Sequence, residues 1–501
     1  MKSRFFYSII FFALLAIGFG IGQWAANPDK SNTRDVASGR KISSASVEED
    51  NLIFKINEKI LAIRHKDEVI PAINEVLALS EKNPEMYNLA IYAALLRPVK
   101  VMEGFLWRMR DIVETCGTCH VTSLNAIKSF YFQDYLVGPH VIAVINFFVE
   151  PNINEEKFQT VSELQDFTKN EMIPELELAA GKLKAIADKL PEDYVFEFDN
   201  YLLSGLDEEQ NFRYISDGRR YKKVVRGNLK YLIAQKERVL GLLYFGINYN
   251  FDDVMAYINK IIEKTAINSI KNKLSLPFFN NLTKHNTPIE FLDILSSSKF
   301  NKFGRKRSEV FTDEEMQAHL RKAFEHLTAA AKYRAQGLEE SYQQSDISVA
   351  KEYLLRPTIF EVNYEDSLEN FKLRYNIYKK ALDTGKDTTV TSKATGMQFR
   401  VNPSAFFKLH NDLKTFLPER KFAQTNRGGF MANERGELIR HKISGDKIWK
   451  WNYNYGKVVS WKDPTFAGLL PEATNENFFQ VYRSMRMTPA TRRMALVLPL
   501  L

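Results

Sequence analysis

Cysteine is scarce in this chain: Cys116 and Cys119 are the two thiols among 501 residues. Stability built on a framework of several disulfides is thereby excluded. Apolar runs long enough to span a bilayer are missing after residue 22. Recognisable phosphate and nucleophile signatures are missing too. The chain holds no GxGxxG or Walker-type loop, no GxSxG elbow, no HExxH pair and no EF-hand pattern. Nothing in it argues for a hydrolase or transferase. A clean 34-residue repeat period is missing as well.

What is present begins with charge placement. Lys2 and Arg4 precede an apolar run over residues 5–22, and no charged residue falls between Arg4 and Asp29. This is the pattern of an export signal, and it is also about long enough to act as an uncleaved anchor of roughly 20 residues. Either way, the body of the chain is expected outside the inner membrane of a bacterial-type envelope, in the periplasm. Residues 1–26 are the signal or anchor, and residues 27–50, rich in Ser, Asn and charge, read as a disordered tether.

The net charge is +8, or +6 if Lys2 and Arg4 leave with a cleaved signal (8 − 2). A mildly basic exported protein suits anionic lipid headgroups or peptidoglycan better than nucleic acid, for which the compartment is wrong. The 451 residues after the tether (501 − 50) are enough for two or three cores.

Helical stripes dominate the body. Leu52, Ile56, Ile60 and Ile63 fall on one face. Asn83 and Pro84 are expected to start a helix carrying Met86, Leu89, Ala93 and Leu96. Thr312 and Glu315 form a capping box ahead of Met316, Leu320, Ala323, Phe324 and Leu327. Leu368, Phe371, Tyr375, Tyr378 and Leu382 make another stripe. Residues 102–114, 173–190 and 228–262 also read as helical, with 239–247 apolar on every side. The expected fold class is mainly α, a helical array or α-solenoid-like, with a smaller C-terminal α+β module. The divisions are a helical domain over 51–294, a basic linker or exposed loop over 295–311, a helical segment over 312–384 and the α+β module over 385–501. In that module residues 388–390 and 397–401 flank a turn and read as a hairpin. Pro403 is expected to begin a helix to Phe416, and three short strands follow Gly428 and Gly429.

The motif with most chemical content is Cys116-Gly117-Thr118-Cys119-His120. Two thiols at this spacing can add to the two vinyl groups of a porphyrin, and the adjacent imidazole can reach the iron. The stretch resembles the haem-attachment site of c-type cytochromes, over five of 501 residues. The resemblance implies one covalent c-type haem, thioethers at Cys116 and Cys119, and iron ligation by His120. Met109, His140 and Met172 are the distal-ligand candidates. The competing reading is a Cys116–Cys119 disulfide, with a bound metal or free thiols as further alternatives.

Two surface features complete the candidates. Arg219, Arg220, Lys222, Lys223, Arg226 and Lys230 crowd one segment and could meet an anionic polymer or headgroup, or be a solvated face. Trp449, Trp451, Tyr453 and Tyr455 alternate with polar residues, which puts all four on one strand face. Such a row could stack on glycan rings, or be the inward face of a small sheet. Trp461 follows it. His319 and His326 share a helix face and read as surface histidines.

Taken together, these features suggest an exported envelope scaffold or adaptor that binds envelope proteins or polymer. The alternative is a monohaem c-type cytochrome.

Overall fold

A computed structural model describes residues 46–109, 138–150, 156–204, 221–253, 301–344, 353, 364–392, 395–416, 418–420, 431–432, 438–439 and 459–485. The described protein is predominantly helical with a few short strand pairs. Its longer helices are α1 (Val47–Leu61), α2 (Val69–Lys82), α3 (Tyr87–Leu96), α4 (Pro139–Val149), α5 (Val161–Phe167), α6 (Ile173–Ala187), α7 (Arg226–Gly246), α8 (Asp313–Gln344), α9 (Tyr364–Thr384) and α10 (Phe478–Ser484). The strands are β1 (Val195–Asp199), β2 (Tyr221–Val225), β3 (Thr388–Thr391), β4 (Gln398–Val401), β5 (Pro418–Arg420), β6 (Met431–Ala432), β7 (Leu438–Ile439) and β8 (Val459–Trp461). They pair antiparallel as β1–β2, β3–β4, β5–β8 and β6–β7. No described helix is long and apolar enough to cross a membrane; residues 5–22 lie outside the described residues.

Local chemistry explains where α1 and α3 begin. Ser46 accepts the Glu49 N–H at 3.1 Å and caps α1. The Glu49 carboxylate turns inward instead and accepts the N–H groups of Asn88 and Leu89 at 2.7 and 3.4 Å. One helix thus supplies the cap of another. Burial pushes the Glu49 carboxyl up, and those two N–H groups oppose the rise. Asn83 does not start α3. Its side-chain amide donates back to the Leu79 carbonyl at 2.9 Å, so it closes α2, and α3 begins at Tyr87.

The α7–α8 pair is the spine. The two helices run antiparallel: Gly227 lies against Ser341, and Gly241 against Leu327 and Ala323. A Cβ on Gly337 would come within 2.8 Å of the Gly227 carbonyl oxygen, so the backbones touch where side chains would keep them apart. The capping box starts α8 as its sequence predicts. Thr312 N–H donates to the Glu315 carboxylate at 2.8 Å, and Glu315 N–H donates to the Thr312 hydroxyl at 3.2 Å. Helix α7 stops at Gly246, well short of the expected 262. Beyond it, Tyr249 makes a β-bridge with Lys306.

That bridge belongs to a seam in the described part of 295–311, where Lys302, Arg305 and residues 308–310 are exposed, Lys306 is half-buried and Arg307 is buried. The Arg305 carbonyl accepts the Asn250 N–H at 2.9 Å, and the Lys306 N–H donates to the Asn411 carbonyl at 3.1 Å. Arg307 is 1% exposed, donates to the Ile247 carbonyl at 3.3 Å and pairs with Asp166 at 3.0 Å. Of the described basic residues in that run, Arg307 is the buried one, and it clamps the end of α7.

The β3–β4 hairpin forms in the expected place, with Val390, Phe399 and Val401 turned inward. They join a continuous apolar cluster with Phe245, Leu320, Phe324, Leu327 and Tyr378. The helix expected over 403–416 is broken. Its first turn ends at Phe406, Phe407 packs on Phe324 with ring centroids 4.9 Å apart, and helical turns resume only at Leu413. A loop after β8 holds three successive left-handed residues, Phe466 (φ 50°), Ala467 (φ 58°) and Gly468 (φ 87°). The Asp463 carboxylate secures it by accepting the N–H groups of Thr465 and Ala467 at 2.9 and 2.6 Å.

Candidate functional site

A set of ionisable groups lies where α6, α7 and α8 meet. Each helix contributes a pair seven residues apart: Glu177 and Lys184, Glu237 and Tyr244, His319 and His326. Two helical turns separate the members of each pair, so both lie on one face. The histidines are therefore not simple surface residues.

Glu237 is the centre of the set. Its side chain is 0% exposed. Lys184 Nζ approaches Oε1 to 2.7 Å, but off the hydrogen-bonding directions, so Oε1 has ionic compensation and no hydrogen bond. His326 Nδ1 lies 3.0 Å from Oε2. Across the ring, Nε2 faces Glu177 Oε1 at 3.6 Å, beyond hydrogen-bond range. The imidazole also stacks on the Tyr244 ring, with centroids 5.4 Å apart and planes at 10°.

Glu177 closes the circuit. Its Oε1 accepts the Tyr244 hydroxyl at 2.7 Å, and Lys322 Nζ donates to that hydroxyl at 3.0 Å. Burial raises the Tyr244 phenol, and the Tyr244 hydroxyl raises the Lys322 ammonium. Next along α8, His319 Nδ1 lies 3.0 Å from the Asn248 side-chain oxygen. Burial, and then Lys169, pull the His319 imidazole down.

Chemically, this is an ion and hydrogen-bond knot joining three helices. Its acids and bases are spent on one another. No group of three His, Cys, Asp or Glu side chains is arranged to hold a metal among the described residues. Next to Glu237 in the sequence, Lys236 is 1% exposed, and its ammonium has no hydrogen-bond partner among the described residues. Burial alone pulls it down to about 8.

The structure brings few of the sequence-derived candidates together. Cys116, Cys119, His120, Arg219, Arg220, Trp449, Trp451, Tyr453 and Tyr455 lie outside the described residues. Lys222 does not belong to an exposed basic surface: it is 1% exposed in β2, opposite Phe198 of β1. Its neighbour Lys223 points the other way, toward the Tyr353 ring at 5.9 Å. Arg226 and Lys230 both pair with Glu340 of α8. Trp461 packs on Phe478 and Phe466, with centroids 4.7 and 5.1 Å away.

The distal-ligand candidates are occupied or enclosed. His140 Nε2 lies 3.0 Å from the Tyr201 carbonyl, Met172 sulfur is 3.8 Å from the Thr168 hydroxyl, and Met109 is in the main apolar cluster. Sequence reading missed Glu237, Glu177 and Lys236. The seven-residue spacing was the available signal, and it marks a shared face without naming what that face meets. Comparison with protein-family models, with curated proteins and with solved structures finds no match.

Proposed function

We propose that the chain is an exported envelope scaffold or adaptor, a helical array with a C-terminal α+β module, anchored by residues 5–22 or released after cleavage. It would act by binding envelope proteins, with anionic lipid or peptidoglycan as further contacts and no role in nucleic-acid binding. The observation that supports this most is the way charge is used inside the body. Glu49, Glu237 and Arg307, all buried, each join elements far apart in the chain. Their chemistry goes into holding a shape, as a scaffold requires.

A second reading rests on Cys116, Cys119 and His120. An exported chain with this spacing meets the conditions for covalent haem attachment, and the protein would then be a monohaem c-type cytochrome or a haem sensor.

One preparation separates the two. The chain is expressed with its own N-terminus in a bacterium that matures c-type haem, then fractionated, weighed intact and scanned in the visible. A colourless envelope protein fits the scaffold. A Soret band that survives denaturation and disappears in Cys116→Ala/Cys119→Ala replaces it with the cytochrome. Retention in the cytoplasm defeats both.

A further inference from the structure

Helix α6 faces the knot on one side and solvent on the other. Its outer line is Pro174, Leu178, Gly181 and Ala185, all exposed, at spacings that set them along one edge of the helix. Leu178 is 48% exposed, one of the few large apolar side chains left in solvent among the described residues. Space is open at Gly181, where an added Cβ would meet nothing within 4 Å.

The charges beside this line are ordered by sign. Glu171 and Glu175 flank its N-terminal half, and Lys182 and Lys189 flank its C-terminal half on the same side. Glu175 is spent on Arg97 at 2.7 Å. Glu171, Lys182 and Lys189 form no ion pair among the described residues.

We propose that this edge of α6 is a self-association surface, and that its occupant is a second copy of the same chain lying antiparallel across it. A two-fold axis passing between Leu178 and Gly181 sets Leu178 of each copy over Gly181 of the other. The glycine leaves room for the leucine and lets the two backbones approach. The same axis carries the acidic half of one flank onto the basic half of the other, so Glu171 faces the Lys182 and Lys189 end of the second copy. A parallel two-fold would instead put this charged flank on opposite edges of the interface in the two copies, where the flanks do not meet. One helix edge buries less than the roughly 1,200–2,000 Å² of a standard interface, so the dimer is weak and depends on salt. This goes beyond the scaffold reading and stands without it.

The test is sedimentation of the full chain, as isolated after export, over two decades of concentration at low and high salt. The expected result is a monomer–dimer equilibrium that weakens as salt rises. Leu178→Lys should weaken it by about tenfold or more, since it sets an ammonium over the partner helix. Glu171→Lys should weaken it, and combining it with Lys182→Glu and Lys189→Glu should restore it. Leu178 is exposed on α6, Lys182 is half-buried on it, and Glu171 and Lys189 are exposed just before and just after it; circular dichroism checks that each variant keeps its helix content. A chain that stays monomeric throughout overturns the proposal. So does a dimer indifferent to Leu178→Lys, which would place the interface elsewhere.

Discussion

Replacing Lys236 with methionine should make the protein more stable, although it removes a charge from the middle of the longest helix pair. Lys236 is 1% exposed, and its ammonium has no hydrogen-bond partner among the described residues. Its neighbours one turn away, Ile233 and Leu240, are both 0% exposed. The fall of its pKa from 10.5 to about 8 measures what burying the charge costs. At about 1.4 kcal/mol per pH unit that cost is on the order of 3 kcal/mol near neutral pH. Methionine has a similar length and no charge, so the packing should survive.

The pH dependence tests the cause. Below pH 8 both folded and unfolded chains carry the proton, and the penalty is complete. Between about 8 and 10.5 the folded chain loses its proton first, so wild-type stability recovers as pH rises. The assay is thermal unfolding of both proteins at pH 7 and pH 10. Lys236→Met should melt several degrees higher at pH 7, with most of that advantage gone at pH 10. A variant that melts lower at pH 7, or an advantage equal at both pH values, refutes the argument. The ammonium would then be compensated in a way the geometry does not show.

Three further predictions concern the same body. Glu237→Gln leaves Lys184 and His326 without their shared carboxylate and should cost about 3 kcal/mol in urea unfolding, whereas Tyr244→Phe should cost about 1 kcal/mol. Equal small effects would deny Glu237 its central place. Ala467→Gly relieves a left-handed residue at φ 58° and should raise stability by about 1 kcal/mol; a loss on chemical denaturation would count against strain at that turn. His140, His319 and His410 are all held down by burial, so the unfolded chain takes up protons first as pH falls through about 6.5. Melting temperature should therefore drop between pH 7.5 and 5.5, and His140→Gln should flatten part of that slope.

Much of the helical layout was legible because it depends on neighbours in sequence. Apolar stripes marked α1, α8 and α9, the Thr312–Glu315 box marked the start of α8, and alternation with a turn marked the β3–β4 hairpin. The failures share a different cause. Asn83 reads equally well as a helix start or a helix stop, and only its bond back to Leu79 decides. Lys222 looks like part of a basic surface until strand alternation and Phe198 opposite it turn it inward. Arg307 meets Asp166 across 141 residues, and His326 meets Glu237 across 89. Periodicity reports which residues share a face; it carries no information about which distant face they meet. The knot was hidden for that reason, although each of its pairs has the same seven-residue spacing.

The close approach of α7 and α8 has a consequence for assembly. Gly227, Gly241 and Gly337 each sit where the opposite helix leaves no room for a side chain. Sliding one helix along the other by a single turn would bring side chains such as Tyr231, Phe245 and Tyr333 to the places the glycines hold. The contact therefore works as a key with one fitting position. Because α7 and α8 are separated by a long stretch of chain, that key sets how the first half of the protein is aligned with the second. An error in alignment would not be a slightly looser version of the same fold, since the Glu237 knot and the Arg307 clamp both depend on that one alignment and would fail with it.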